Sequence, residues 1–484
     1  MSVRVRIAPS PTGPLHIGNL RSALFNWLFA RHEGGVFIVR IDDTDSVRSH
    51  REYEDDAQES LRWLGLDWDE GVGVGGPHGS YRQSDRLDRY REVADALLDQ
   101  GKAYRCFCTP DELTRRRELA RAQGGFSGYD GVCRLIDPEE AAQRKDSGEA
   151  SALRLAVPRP GETRFQDLVR GEMRFDHADV DDFILLRSDG SPTYHLASTV
   201  DDVDYGITHV VRGEDLLSST PKHILITKAM GAPVATYAHL PLLFGPDGKK
   251  LSKRHGDVSV QAYRDRGILP EAMFNYLALL GWSYEPDVTV FTKEQAVERF
   301  DLADVSKNPA VFDPAKLEWM NGVYIRNLDA DGFVSRAVPF VEVSIGRTLT
   351  DDERERFRKV SPLIQERVKS LTEVAPMVAF VFTDRLEYDE KSWRKVLGHE
   401  TAPAVLVAAI ERLGRLAEWD HAAIESALRA MLEDLGIGAR RGLQPVRVAV
   451  TGSSVSPPLF ESLEILGKEV TLHRLRDVAA RLES

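Results

Sequence analysis

The chain has few cysteines and no long run of apolar residues. Only three of its 484 residues are cysteine, which is too few for a disulfide framework and indicates a reducing cytoplasm. No stretch approaches the roughly 18 apolar residues of a membrane span. The first six residues read as a strand and lack the apolar segment of a signal peptide. We therefore expect a cytoplasmic protein without a membrane partner.

The chain also lacks an excess of basic residues. It carries 63 lysines and arginines against 76 acidic residues, a net charge of −13. This balance argues mildly against a nucleic-acid partner but does not exclude one, because a local basic face can bind phosphate on an acidic protein. The 42% hydrophobic and 29% charged content is typical of a globular protein, and the length predicts about three to five domains.

Strands and helices alternate in the first part of the chain. Apolar residues with a period of two predict strands over 3–7 and 36–41, and helical spacing predicts helices over 20–28 and 53–64. This order is typical of a parallel α/β sheet. The pattern resumes over 206–212, and a helix follows that Ser219 or Thr220 caps, with Pro221 as its first residue. The polar stretch between about 105 and 190 is interpreted as an inserted domain, and helical spacing dominates from about 350 onward.

Two segments carry candidate chemistry. Pro9 to Asn19 joins the first strand to the first helix, where free N–H groups and the positive end of the helix can face an anion. Gly248 to Gly256 places four cations in six positions, which suits a loop that closes on phosphates. Each segment alone also fits a simple alternative, a tight turn in the first case and a solvated basic turn in the second.

Together, the two segments resemble the paired signatures of class I aminoacyl-tRNA synthetases. His16-Ile17-Gly18-Asn19 is similar to the histidine–isoleucine–glycine–histidine signature, with Asn19 in place of the second histidine. Lys250-Leu251-Ser252-Lys253-Arg254 is similar to the lysine–methionine–serine–lysine–serine loop. The branch that the chain resembles is the bacterial-type glutamyl-tRNA synthetase family, through segments 6–13, 40–45, 81–84, 211–215, 219–222 and 275–282.

The resemblance implies an α/β fold with a Rossmann-type class I catalytic core, an inserted acceptor-binding domain and a mostly α-helical anticodon-binding C-terminal region. It covers essentially the whole chain and is densest up to about residue 325. The expected boundaries are a catalytic domain in two halves (1–104 and 194–243), the insert (105–193), a stem-contact domain with the lysine loop (244–325) and the helical region (326–484).

The activity that the resemblance implies is activation of L-glutamate with ATP and its transfer to tRNA(Glu), by a protein that we expect to be a monomer. Arginine pairs bidentately with a carboxylate, and ligands bind at the carboxyl ends of strands, which favours Arg6 and Arg212 as glutamate ligands. The full set of glutamate-binding residues implied by the resemblance is Arg6, Ala8, Ser10, Asp42, Tyr194, Ser198 and Arg212. The family usually has glutamate and asparagine where this chain has Asp42 and Ser198, so the contact of the shorter Asp42 with the substrate ammonium is expected to be longer or water-mediated.

The activation step needs no general base, because the ionised α-carboxylate of glutamate attacks the α-phosphate directly. Catalysis then consists of positioning and of neutralising charge on the phosphates. The resemblance assigns it to His16, Lys250 and Lys253, with Mg²⁺ bridging phosphate oxygens. The ATP-binding residues that it implies are His16, Gly18, Asn19, Asp215, Leu243, Leu251, Ser252 and Lys253.

Zinc and tRNA contacts are less well defined by the sequence. Some relatives hold zinc with the spacing of Cys106, Cys108 and Cys133 plus a fourth ligand two residues on, where this chain has Leu135. Structural zinc sites have four ligands, so we expect ordinary thiols and no bound metal.

Arg367 aligns with an arginine that reads the last anticodon base in relatives. Candidate phosphate contacts are Arg115–Arg117 and Arg440–Arg441, each of which also fits a solvated surface.

Four other functions remain open at this point. A truncated tRNA-modifying relative would lack a tail, whereas this chain has about 160 residues beyond the expected catalytic part. A glutaminyl-tRNA synthetase usually carries a β-barrel tail, whereas this tail is predicted to be helical. A small-molecule nucleotidyltransferase shares the first signature but needs neither an insert nor a helical tail. A non-enzymatic tRNA-binding scaffold has no use for His16, Lys250 or Lys253.

Overall fold

The structure is a computed structural model that describes residues 2–45, 47–123, 128–252, 254, 258–383 and 385–483. The chain forms two compact units. The first combines Met1–Tyr263 with Met273–Pro314, and the second combines Arg264–Ala272 with Ala315–Ser484. Within these described ranges, no helix has both the length and the apolar character needed to cross a membrane.

The first unit contains the strands. In chain order they are β1 (Arg4–Ile7), β2 (Val36–Val39), β3 (Glu70–Gly71), β4 (Ala103–Cys106), β5 (Ala152–Leu155), β6 (Glu162–Asp167), β7 (Gly171–Asp176), β8 (Ile184–Leu186), β9 (His209–Gly213), β10 (Thr236–Leu240), β11 (Leu243–Phe244) and β12 (Ala310–Val311).

The sheets place the carboxyl ends of several strands side by side. Strands β1, β2 and β3 are parallel neighbours, and β9 runs beside β1, where the Thr208 N–H donates to the Arg4 carbonyl at 3.0 Å. Strand β10 is parallel to both β9 and β6, and β7 closes this sheet as the antiparallel partner of β6. Two strands of the stretch interpreted as an insert therefore share a sheet with two strands of the catalytic core. Strands β4, β5 and β8 form a separate antiparallel sheet.

Helices pack around these sheets. They are α1 (Ile17–His32), α2 (Arg51–Trp63), α3 (Leu87–Asp99), α4 (Pro110–Ala122), α5 (Pro138–Asp146), α6 (Tyr194–Asp204), α7 (Thr220–Ala229), α8 (Val260–Asp265), α9 (Pro270–Leu279) and α10 (Lys293–Arg299). Helix α1 is buried over most of its circumference, as expected for a helix whose apolar residues are not confined to one face.

The predicted start of α7 is off by one residue. Thr220 is its first residue and Pro221 its second, and Ser219 makes no side-chain capping hydrogen bond. The physical reason is that a 3-10 helix over Glu214–Ser219 runs directly into α7, so Ser219 has helical rather than extended dihedral angles.

The second unit is helical, as predicted, but the helices begin earlier than residue 350. Pro314, the first residue of α11, belongs to the first unit. The remaining helices are α11 (Pro314–Arg326), α12 (Ala330–Ile345), α13 (Asp351–Val360), α14 (Pro362–Gln365), α15 (Val374–Val378), α16 (Glu390–Ser392), α17 (Ala402–Gly414), α18 (His421–Leu435), α19 (Ala439–Thr451), α20 (Leu459–Leu466) and α21 (Lys468–Glu483). They enclose two apolar clusters, one around Phe333 and Phe357 and the other around Leu406, Leu428 and Leu475.

Candidate active site

One cavity of about 620 Å³ lies in the first unit, where the carboxyl ends of β1, β2 and β9 meet the start of α1. Most of the residues predicted for the site line it: Arg6, Ala8, Ser10, His16, Gly18, Asn19, Asp42, Tyr194, Ser198, Arg212, Asp215, Leu243, Lys250 and Leu251. Ser252 is not part of this lining, and Lys253 lies outside the described residues. Arg367 belongs to the second unit.

One wall of the cavity is a buried network of charges. Arg6 donates from Nε and Nη2 to the two carboxylate oxygens of Asp202, at 3.0 and 3.1 Å. Arg40, which is 0% exposed, donates to Asp202 at 2.7 Å, to both oxygens of Asp42 at 2.7 and 3.2 Å, and to Ser198 Oγ at 3.0 Å. Asp201 is a third carboxylate of this network, 3.6 Å from Arg40 Nε and 2.8 Å from Arg86 Nε. Arg6 is therefore a member of a buried ion-pair network and not of a surface pair.

The carboxylates in this wall respond differently to burial. Burial raises the pKa of Asp42 above its ordinary value, although Arg40 acts in the opposite direction. For Asp202, burial also acts to raise the pKa, but Arg6 and Arg40 together hold it below the ordinary value. The neighbouring Asp201 is 0% exposed, and burial raises its pKa to about 6.

A second wall of the cavity carries an arginine without a carboxylate partner. Arg212 is 5% exposed, and it donates from Nε to His239 Nε2 at 3.2 Å and from Nη2 to Thr220 Oγ1 at 2.8 Å. Its other acceptors are the Leu216 carbonyl at 3.2 Å and the Tyr194 hydroxyl at 3.4 Å. All these groups are neutral, and within the described part of the chain Arg212 forms no salt bridge. A buried guanidinium in this state favours an anionic ligand.

The start of α1 forms the second end of the cavity. The Nδ1 atom of His16 accepts from the Gly18 N–H at 3.0 Å, so the proton of the neutral ring lies on Nε2. The Ile17 N–H donates to the Val258 carbonyl at 3.0 Å. The expectation of free N–H groups is therefore wrong for Ile17 and Gly18. The Ile17 N–H is bonded to the chain after the lysine loop, and the Gly18 N–H is bonded to the His16 side chain. The helix dipole still points its positive end at the cavity.

Backbone pairing brings the two signature segments together. His16 forms an antiparallel bridge with Ser259, and a hairpin in which Phe244 pairs with Lys250 presents the lysine loop. The Lys250 ammonium lies 3.2 Å from a carboxylate oxygen of Asp215. A Cβ atom at Gly213 would lie 2.6 Å from Asp215 Oδ1, so a side chain there would require the Asp215 carboxylate to shift.

The three cysteines converge outside this cavity. The Sγ atoms of Cys106, Cys108 and Cys133 lie within 4.8 Å of one another, and the Tyr129 hydroxyl is 3.5 Å from Cys106 Sγ. Leu135 is 91% exposed and offers no ligand atom. A phenol oxygen is thus the fourth donor that this structure offers to a metal, which sequence spacing did not reveal. The expectation of ordinary thiols stays a prediction.

The arginines proposed for RNA contacts have different surroundings. Arg116 pairs with Asp130 at 2.7 Å, whereas Arg440 and Arg441 line a cavity of about 860 Å³ in the second unit. Arg367 Nη1 donates to the Ser456 carbonyl at 3.4 Å.

Arg447 shares the acceptor of Arg367, because its Nη1 atom also donates to the Ser456 carbonyl, at 3.5 Å. Burial and the proximity of Arg367 lower the pKa of Arg447. Neither guanidinium has a salt-bridge partner among the described residues, but Arg447 Nη1 also donates to Ser456 Oγ at 2.5 Å and to the Pro457 carbonyl at 2.6 Å.

Several residues of the site were missed by reading the sequence. They are Arg40, Asp202, Thr220, His239 and Asp167. All except Thr220, which lies 8 residues from Arg212, contact a predicted residue or its neighbour across a long sequence separation. The signal that could have found them is a polar residue inside an apolar strand or helix, as with His239 in β10.

The comparisons with known proteins agree with this geometry. Residues 2–319 match the family described as tRNA synthetases class I (E and Q), catalytic domain, and residues 332–479 match the anticodon binding domain. The chain therefore belongs to the class I tRNA synthetases of the glutamate and glutamine group. The family and the fold class predicted from the sequence are confirmed.

Particular relatives are glutamate–tRNA ligases. That of Rubrobacter xylanophilus (ligase 2) is 47% identical over 485 residues, covering 100% of this chain and 98% of that protein. That of Moorella thermoacetica is 46% identical over 481 residues, covering 99% and 98%. The crystal structure of a glutamate tRNA ligase from Elizabethkingia meningosepticum, in complex with its amino acid, matches with a TM-score of 0.86 at 32% identity and covers 100% of both chains.

Proposed function

We propose that this chain is a glutamate–tRNA ligase. It joins L-glutamate to the α-phosphate of ATP, releasing pyrophosphate, and then transfers the glutamyl group to the 3' end of tRNA(Glu), releasing AMP. The observation that carries this proposal is a single cavity that has a buried, uncompensated arginine at one end and both nucleotide-binding signatures at the other. Full-length similarity to glutamate–tRNA ligases supports it.

The amino acid lies between the two walls of the cavity. Arg212 binds the side-chain carboxylate, and the Tyr194 hydroxyl, which accepts from Arg212, directs its own proton to the same carboxylate. Asp42 receives the ammonium group through its outer lone pairs, since Arg40 already occupies both of its oxygens. Arg6, Ala8, Ser10 and Ser198 complete the pocket.

ATP occupies the end formed by α1 and the lysine loop. His16 Nε2–H, Asn19 and the dipole of α1 attract the phosphates, Gly18 leaves room for close approach, and Leu243 and Leu251 line the nucleotide side. Lys250 and Lys253 stabilise charge on the departing pyrophosphate. Catalysis follows from positioning and charge neutralisation, with the ionised α-carboxylate as nucleophile.

Magnesium fits the nucleotide end of the site. Mg²⁺ is held mostly by substrate phosphates with one or two carboxylates, and Asp215 is the carboxylate that lines this end without a buried arginine partner. When bound, the ion neutralises phosphate charge.

The second unit binds the anticodon, with Arg367 and Arg447 as contacts at Ser456. Arg440 and Arg441 contact backbone phosphates. We expect the protein to act as a cytoplasmic monomer.

Glutamine is the nearest rival substrate. A carboxamide has no charge to pair with the uncompensated Arg212, so the cavity favours glutamate over glutamine by a buried charge interaction. The helical second unit also differs from the β-barrel expected of a glutaminyl-tRNA synthetase.

The test is aminoacylation of purified glutamate and glutamine tRNAs with labelled glutamate, ATP and Mg²⁺. Charging of glutamate tRNA, abolished by Lys253→Ala, supports the proposal. Charging of glutamine tRNA as well keeps the enzyme class but contradicts discrimination through Arg367. Failure to charge either tRNA contradicts the proposed function.

A further inference from the structure

The partner that orients Arg212 is a histidine held between two other strands. In the sheet register, His239 on β10 lies opposite Arg212 on β9, and Tyr237, two residues earlier on β10, lies opposite Asp167 on β6. His239 and Asp167 are both 0% exposed. The three polar side chains therefore form a buried row, Asp167–His239–Arg212, that ends at the cavity.

Asp167 fixes which ring nitrogen of His239 carries the proton. Its Oδ2 atom lies 2.6 Å from His239 Nδ1, and a carboxylate can only accept, so Nδ1–H is the donor. Burial lowers the pKa of His239 although Asp167 acts to raise it, so the ring is neutral. The Nε2 atom is then an obligatory acceptor, and it accepts from Arg212 Nε at 3.2 Å and from the Thr220 hydroxyl at 3.0 Å.

His239 differs in charge from the aspartates of the first wall, because its imidazole ring is neutral and they are carboxylates. Asp202 orients Arg6 but also neutralises it. His239 orients Arg212 through the same Nε–H group and leaves the guanidinium charge uncompensated, and Thr220 Oγ1 accepts from Nη2 without adding charge. The negative charge of Asp167 stays behind the imidazole ring.

We propose that the Asp167–His239 pair determines substrate specificity by positioning Arg212 as a fully charged donor for the substrate's side-chain carboxylate. The pair touches no substrate atom and acts through Arg212. This inference rests on the proposed glutamate-binding role of Arg212. In the opposite tautomer the Nε2–H group of His239 can only donate, and Thr220 Oγ1 lies 3.0 Å away to accept it. The Arg212 Nε–H group then has no acceptor at His239, and the guanidinium loses the contact that orients it.

Asp167→Asn tests the inference with little change in shape. The Oδ1 atom of Asp167 accepts the backbone N–H groups of Val169, Arg170 and His239, at 3.0, 2.8 and 3.2 Å. An asparagine oxygen keeps these three bonds, which directs its NH₂ group to His239 Nδ1. The ring must then accept at Nδ1 and carry its proton on Nε2.

The expected result is a rise of about 30-fold in the KM for glutamate, the size of effect that an unsatisfied buried donor produces. It is measured by ATP–pyrophosphate exchange in the presence of tRNA(Glu), and the KM for ATP stays within twofold. The preference for glutamate over glutamine falls by a similar factor. The ¹⁵N shifts of His239 report the change of tautomer directly. His177→Gln, which alters a buried histidine bonded to Thr163 and Pro158 away from the cavity, is the matched control and leaves both KM values unchanged.

A double-mutant cycle separates positioning from a merely structural role. The side-chain oxygen of His239→Gln accepts from Arg212 whatever stands at residue 167, so this variant retains the KM for glutamate within about fivefold. His239→Leu offers Arg212 no acceptor and therefore raises the KM for glutamate. In the His239→Gln background, Asp167→Asn has little further effect on the KM, whereas a structural role predicts the same loss in both backgrounds.

The outcomes distinguish this inference from the proposed function. An unchanged KM for glutamate in Asp167→Asn, or equal effects of that change in both backgrounds, overturns the inference. If Asp167→Asn does not fold, equal KM values for His239→Gln and His239→Leu overturn it. An Arg212→Gln variant that still prefers glutamate contradicts the proposed role of Arg212 itself.

Discussion

The two walls of the cavity each present a buried arginine, yet the arginines differ in charge balance. Arg6 shares Asp202 with Arg40, and Asp42 and Asp201 are further carboxylate partners of Arg40. Arg212 faces only neutral acceptors. The first wall, called the scaffold wall below, therefore compensates its arginines with its own carboxylates, and the second keeps one positive charge without a carboxylate partner. Identical residue types at equivalent strand ends thus differ in charge compensation, because their partners differ.

The largest expected effect comes from removing the uncompensated charge. Arg212→Gln should lower kcat/KM for glutamate by about 10³-fold or more, because the substrate carboxylate would then be buried without a counterion. Arg6→Gln should change the preference for glutamate over glutamine far less, since Asp202 already compensates Arg6. Both are measured by tRNA-dependent ATP–pyrophosphate exchange with each amino acid. Equal losses of selectivity in the two variants would remove the distinction between the walls.

The scaffold wall should contribute to stability more than to selectivity. Asp202→Asn leaves Arg6 and Arg40 buried with too little negative charge, and we expect the free energy of unfolding to fall by about 4 kcal/mol. Denaturant unfolding measures this change. The matched control is Asp88→Asn, which removes an exposed partner of Arg91 on α3 and should have no measurable effect. A stable Asp202→Asn variant would show that the wall is not a charge-balanced scaffold.

The same wall should make stability depend on pH through Asp201. Burial raises its pKa to about 6, from 3.8 in the unfolded chain, so the folded state binds the proton more tightly. The free energy of unfolding that protonation of Asp201 contributes is present below pH 4 and is lost as the pH rises through 6. Relative to Asp201→Asn, the protein should therefore lose about 3 kcal/mol of unfolding free energy between pH 4 and pH 7, as measured by denaturant titration at each pH. An identical pH dependence in the variant would contradict the raised pKa.

The difference between the walls also shows which features of the site could be predicted from the sequence and which could not. The segment from His16 to Asn19 and the lysine loop were recognisable because their residues are contiguous, and the strand and helix periods placed the first of them between β1 and α1, where the structure has it. The pairs Arg40–Asp202 and His239–Asp167 are separated by 162 and 72 residues. No local period encodes such pairing, so sequence reasoning treated Arg6 and Arg212 alike. It could name the arginines but could not tell which one was neutralised.

The smallest effect should come from the hydroxyl group of Tyr194. Its oxygen accepts from Arg212 at 3.4 Å, which is a long bond, and its proton remains for the substrate carboxylate. Tyr194→Phe keeps the ring packed against His195 and His223, so only one neutral hydrogen bond is lost. We expect about a fivefold rise in the KM for glutamate, with the KM for ATP unchanged.

Tyr104→Phe, which removes a hydroxyl bonded to Asp182 away from the cavity, is the control and should leave the KM for glutamate unchanged. If Tyr194→Phe lowered kcat/KM for glutamate as much as Arg212→Gln does, then hydrogen bonding, and not the uncompensated charge of Arg212, would select the substrate. A rise in the KM for glutamate of about fivefold would show that the charge of Arg212 matters more than the Tyr194 hydroxyl, because a neutral donor contributes less than a buried charge to binding an anion.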